Sequence, residues 1–168
     1  LATGTAQGIS AMMFYLAIYV AMTLGSFICV LEMRDRDGKP LESLSSLAGL
    51  SQTRPGLAAA FAVFMFSLAG IPPLFGFWGK FLVFDAAVAA GMLPLAVIGI
   101  AASVIGAFYY IKVVKIIYFD EPANEIVVTG HKAENILIAI LALIVSPLGY
   151  LAIPFVAPIT AAAAGALF

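Results

Sequence analysis

The sequence predicts an all-α, polytopic bundle of about five transmembrane helices, one of them broken. Three observations carry that expectation. Hydrophobic residues fill 64% of the 168 positions and charged residues only 10%, against about 25% charged in a soluble domain. Charge is also absent from long runs: between Leu57 and Leu93 only Lys80 and Asp85 are ionisable, and Leu93 to Tyr110 has no charged residue. Such runs have hydrocarbon as their solvent. Finally, Pro72-Pro73 stands between two apolar runs. Proline removes donors and clashes with the preceding turn, so one helix must stop there and another start.

Length assigns the elements in order, since a span needs about 20 apolar residues. Helices are expected at about 10–31, 57–71, 73–92, 94–119 and 136–156, with an interfacial link over 32–56. In that link Leu41, Leu44, Leu47 and Leu50 recur every third residue among serines. The pattern suits a short amphipathic helix in the interface, or a leucine-bearing loop folded on its neighbours. The apolar tail from Ala157 to Phe168 is expected along the membrane surface. No repeat or second domain is visible. The chain opens Leu1-Ala2-Thr3 without a start methionine, so it is expected to be a transmembrane fragment of something longer.

Several function classes are excluded at this stage. A net charge of −1 argues against a nucleic-acid surface. The single Cys29 cannot form an internal disulfide, and the single His131 sits in the polar link Asp120–Glu134 as a solvated loop residue. No His, Cys, Asp or Glu group has metal-ligand spacing, so no metal or redox cofactor is expected in this chain.

Lys80 is the main candidate. It lies seven residues past Pro73, about 10 Å along the helix, with Phe75, Phe77, Trp78, Phe81, Leu82, Val83 and Phe84 around it. A lysine at mid-membrane costs about 2.5–3.5 kcal/mol on insertion scales. Two placements are open: snorkelling to the near interface, or facing the bundle interior and exchanging protons with water or a carboxylate. Asp85 is about 140° further around a regular helix and is not expected to pair with it. Lys112 and Lys115 share a face of the fourth helix. Lys115 is expected to snorkel, and Lys112 is a candidate for a buried hydrated path. Gly70, Pro72, Pro73, Gly76 and Gly79 mark the expected structural break, placed near Lys80 or Phe81.

The run Ser67-Leu68-Ala69-Gly70-Ile71-Pro72-Pro73-Leu74-Phe75-Gly76-Phe77-Trp78-Gly79-Lys80-Phe81 resembles the signature of the antiporter-like membrane subunits. That family serves proton-translocating NADH:quinone oxidoreductase and multisubunit cation/proton antiporters. The segment Ala107 to Pro122 and the runs Tyr15–Tyr19 and Met22–Phe27 are similar to its N-type branch. The resemblance covers about Gly8 to Pro122 and fades in the last helix.

The resemblance implies half of an inverted-repeat transporter fold, with the five spans as its last five helices. It implies Lys80 as the proton carrier on a broken helix, and a membrane-arm subunit of complex I in a bacterial inner membrane. NADH, FMN, iron–sulfur clusters and quinone would then be used by other subunits. The implied partners are those membrane-arm subunits, the N-terminal part of the same polypeptide and the lipid bilayer. A multisubunit sodium/proton antiporter subunit and a non-transporting scaffold stay open beside it. The cations Arg34, Arg36, Lys39 and Arg54 are expected on one side and Lys112, Lys115 and Lys132 on the other, leaving orientation nearly balanced.

Overall fold

A computed structural model describes the chain except residues 35–37, 40, 42, 123–126, 129–131 and 167–168. The expectations for Arg36 and His131 lie outside the described residues.

The bundle is helical throughout, apart from one two-stranded pairing among the described residues. α1 spans Ala6–Leu31, α2 Leu50–Thr53, α3 Pro55–Ala69, α4 Phe75–Ala89, α5 Leu93–Phe119, α6 Lys132–Val145 and α7 Ile153–Gly165. Strands β1 (Met33–Arg34) and β2 (Val127–Val128) pair antiparallel. The chain is therefore a multi-pass membrane protein, with α1 and α5 each long and apolar enough to cross alone.

α3 and α4 are each 15 residues, about 22 Å, too short for a hydrocarbon core of about 30 Å. Their neighbours along α1 show how they combine. Phe64 of α3 lies against Gly25, Gly76 of α4 against Met22, and Gly79 against Tyr15 and Ile18. Asp85 shares a recess with Gln7 and Ser10. Successive residues of α3 and then α4 thus climb towards the start of α1, so the two are halves of one crossing. The break lies at Gly70–Leu74, not near Lys80 or Phe81, and α4 runs uninterrupted through both. The physical reason is local. Gly70 closes α3 at φ +83°, a left-handed cap that favours glycine, and the two prolines follow. Nothing between Phe75 and Ala89 breaks a helix. Gly76 is there for close approach, because a Cβ would strike the Ser67 carbonyl and the Met22 sulfur.

The last segment also departs from expectation. α6 stops at Val145, a 3₁₀ stretch covers Pro147–Ala152, and α7 continues. Pro147 removes a donor, and the Ser146 hydroxyl caps the new turn by accepting from Leu148 N–H at 3.2 Å. α7 does not lie as a free tail along the surface. Thr160 and Ala164 are buried, and Ser10 donates to Thr160 at 3.3 Å.

The link after α1 is not one amphipathic helix. Leu44–Leu47 forms a 3₁₀ turn and α2 follows after Gly49 at φ +72°. A leucine every third residue fits the three-residue period of a 3₁₀ helix. Leu47 and Leu50 point inward and Leu44 outward, so the link is a loop folded on its neighbours. Gly49 packs against Pro122, and β1 pairs with β2. Both polar links therefore sit at the same end of the bundle, which corrects the expected balance of cations. Arg34, Lys39, Arg54, Lys115 and Lys132 gather there, and among the described residues the opposite end has no Lys or Arg. By the count that the positive-inside rule uses, this is the more positive end.

The tight α3–α4 junction yields a prediction. Gly76→Val forces Ser67 and Met22 aside, and overpacking of this kind costs about 1–3 kcal/mol. The variant subunit is expected to assemble poorly and to unfold several degrees lower in detergent; an unchanged melting curve would show that the junction is not close-packed.

Candidate functional site at the helix break

Two broken helices meet at mid-bundle. Tyr150, in the 3₁₀ stretch, donates to the Leu74 carbonyl at 3.3 Å. Its ring lies 5.5 Å from Phe75 and 6.3 Å from Trp78. Phe14 of α1 meets Phe75 edge-on at 5.7 Å. Below the break, the Ser67 hydroxyl accepts from Gly76 N–H at 2.9 Å, tying the end of α3 to the start of α4.

Lys80 does not snorkel. Its side chain turns back across the break, and Nζ donates to Leu68 O at 2.9 Å and Ala69 O at 3.5 Å. These are two of the last carbonyls of α3, which have no intrahelical donor. An ammonium at a helix C-terminus also meets the negative end of the helix dipole. A third bond runs to the Ser103 hydroxyl of α5 at 2.7 Å. The side chain is half-buried, and its three donors have three neutral acceptors.

Recesses open on both sides of the ammonium. One of about 300 Å³ is lined by Tyr15, Tyr19, Lys80, Ser103 and Tyr110, room for several waters among hydroxyl groups. It shares Tyr19, Leu68 and Tyr110 with a second of about 300 Å³ that reaches Thr23 and Ser26. A third of about 480 Å³ holds Gly70, Phe84, Asp85 and Ser103 beside Lys80. Hydroxyl groups thus line α1 from Tyr15 down to Ser26, towards the end that carries the polar links.

The other sequence candidates are placed differently. Asp85 lines a recess with Lys80 but forms no ion pair with it among the described residues. That agrees with the angular separation on a continuous helix. Gly70, Pro72 and Pro73 lie in the break, with the Pro72–Pro73 bond cis. Gly76 and Gly79 lie within α4 as contact positions. Lys112 is exposed and sits nine residues past Ser103, about half a turn away at ~100° per residue. The fold does not bring it to Lys80. Lys115 is exposed and pairs with Asp120 at 2.6 Å, a helix-end cation reaching outward.

Ser103 and the second break were missed in the sequence. Ser103 had a signal: it is the only polar side chain between Leu93 and Phe108. The second break had a weaker one in Ser146-Pro147 and Gly149.

Comparison with known proteins fits this architecture. The family model for the NADH:quinone oxidoreductase/Mrp antiporter transmembrane region matches residues 1–106. The NADH-quinone oxidoreductase subunit N of Rhizorhabdus wittichii is 66% identical over the whole chain, and that of Erythrobacter litoralis is 56% identical. The chain spans about a third of those relatives, 35% and 34%. Among solved structures, respiratory complex I from Thermus thermophilus with bound aureothin superposes with a TM-score of 0.74 at 32% identity. That match covers 89% of this chain and 34% of the other. The Mrp complex from Dietzia sp. shares the fold, with a TM-score of 0.71 at 21% identity over 96% of this chain and 38% of the other. With the family model matching well over half of its residues, the chain belongs to the NADH:quinone oxidoreductase/Mrp antiporter transmembrane family.

Proposed function

We propose that this chain is the C-terminal part of an N-type membrane-arm subunit of complex I in a bacterial inner membrane. In that role it couples NADH-to-quinone electron transfer to proton translocation, with Lys80 as a proton carrier. Electron transfer through NADH, FMN, iron–sulfur clusters and quinone belongs to other subunits, and the partners are those subunits and the remaining two-thirds of this polypeptide. The single observation that carries the site is the placement of the Lys80 ammonium. It bridges a helix break, faces a hydroxyl-lined recess, and is held by carbonyl and hydroxyl oxygens alone. No carboxylate neutralises it among the described residues. A proton can therefore leave towards water in the recess without stranding an anion. Lys112 joins this reading only through residues beyond the present chain, because its side of α5 faces away from Lys80.

The identities to subunit N proteins favour complex I over the antiporter reading. The shared family model and the Mrp fold keep the antiporter as the second reading. NADH:quinone activity of the purified complex separates the two. The inward bonding of Lys80 speaks against a purely structural scaffold, for which a lipid-facing lysine would be expected.

Two predictions follow from the bonding of Lys80. In vesicles holding the full complex, Lys80→Ala is expected to assemble yet lower proton pumping at least about tenfold, in the range of a lost acid–base group. Lys80→Arg should also impair pumping, since guanidinium does not release its proton. Wild-type pumping by an assembled Lys80→Ala complex would sink the carrier role. Ser103→Ala removes one charge-assisted bond, worth about 1.5–3 kcal/mol, and is expected to slow pumping several-fold. Ser103→Thr restores the hydroxyl and should recover most of that rate; equal loss in both variants would mean that Ser103 only fills space.

A further inference from the structure

We propose that Glu32 is a second proton-binding site, separate from Lys80: a buried carboxyl group just past α1, at the end of the bundle that carries the polar links, held there as the neutral acid. Glu32 follows the last residue of α1 and is only 3% exposed. Neither carboxyl oxygen has a hydrogen-bond partner among the described residues. Cys29 in the last turn of α1, Met33 of β1 and Leu50 of α2 are all fully buried.

This is the wrong place for a carboxylate. Buried carboxylates normally accept several hydrogen bonds, and an ionised one without donors is strongly disfavoured. The C-terminal end of α1 adds the negative pole of its dipole. Among the described residues, the charged groups that act on Glu32 most are Glu134, in the first turn of α6, and Arg54, which precedes α3. Burial and then Glu134 push the Glu32 carboxyl above the ordinary carboxylate range, while Arg54 pulls the other way. Arg54 makes no hydrogen bond to either oxygen, so its guanidinium acts on the carboxyl only through its charge. A group with a raised folded-state pKa stabilises the fold in acid, and that contribution is lost as pH rises through the raised value. The neutral acid removes the anion, though its own O–H still needs water to complete its bonding. Because this end of the bundle carries the polar links, the aqueous phase lies next to it, and the proton has a short exchange route.

The test uses the full complex in membranes and an apolar carbodiimide, dicyclohexylcarbodiimide. The acid proton moves to a carbodiimide nitrogen as the carboxylate oxygen attacks the central carbon, and the adduct rearranges to a stable N-acylurea detectable by peptide mass spectrometry. Labelling of Glu32 is expected to persist to higher pH than labelling of the exposed carboxyl groups of the complex, to fall as pH rises further, and to be absent from Glu32→Gln. A protonated-carboxyl stretch in the infrared spectrum should likewise vanish in Glu32→Gln. That band alone, without label, still supports the site, because it does not depend on reagent access. Absence of both signals, or a label yield that is flat with pH, overturns the proposal. Labelling should persist in the Lys80→Ala complex, so this claim and the Lys80 claim fail independently.

Discussion

The constraint on which the rest of the structure depends is the backbone at Gly70–Leu74. A helix that stops inside a membrane leaves carbonyls and N–H groups without water to satisfy them. Here most are answered individually. Gly70 N–H bonds Phe66 O and Ser67 O, and Ile71 N–H bonds Phe66 O. Pro72 and Pro73 have no N–H to satisfy. Leu74 N–H bonds Ile71 O, and Leu74 O accepts from Tyr150. The two carbonyls that remain at the end of α3, Leu68 and Ala69, receive the Lys80 ammonium. Side chains from α4, α5 and the 3₁₀ stretch after α6 are thus drawn to one place by a local shortage of donors and acceptors.

The second break follows the same logic from the other side. Ser146 N–H keeps its helical bond to Ala142 O, its hydroxyl donates to Leu143 O, and Gly149 N–H bonds Ser146 O. The interruption turns Tyr150 inward at the level where α3 ends. A continuous helix there would carry its backbone past the gap without supplying a donor. Placing the two interruptions side by side lets the second supply a donor to the Leu74 carbonyl of the first. It also explains why the aromatic cluster of Phe14, Phe75, Trp78 and Tyr150 lies at the break. In lipid, where burial of apolar surface drives little association, such close packing and interhelical bonds hold helices together.

The proposed role of Lys80 pulls against its place in the fold. As a helix cap it is favoured by its charge; a proton carrier would have to give that charge up. Losing the proton would leave an amine with two donors and a lone pair where the ammonium had three donors, so the contacts must reorganise: the Ser103 hydroxyl can reverse and donate to the nitrogen, or a carbonyl of Leu68 or Ala69 can turn to water. The recess beside it supplies room for that water. Protonation of Lys80 and the hydrogen bonding of the break are consequently coupled, a physical route by which charge can bias the joint between α3 and α4.

Composition and charge spacing by themselves determined that this is a membrane bundle, because no arrangement of these residues makes a water-facing surface. They also singled out Lys80, since a cation amid aromatics and glycines has few tolerable environments, and the Pro72-Pro73 turn, since proline acts locally. The resemblance in the run Ser67–Phe81 identified the family for the same reason: it is a dense local motif. The tertiary structure alone decided the rest. That α3 and α4 form one crossing depends on their heights along α1, which residue spacing does not encode. Because they make one crossing and not two, both polar links lie at one end. Ser103 became a partner of Lys80 only when α5 packed across the break, and the burial of Glu32 likewise came only with the fold. Local chemistry is written along the chain; which groups share a desolvated space is set by contacts between residues far apart in it.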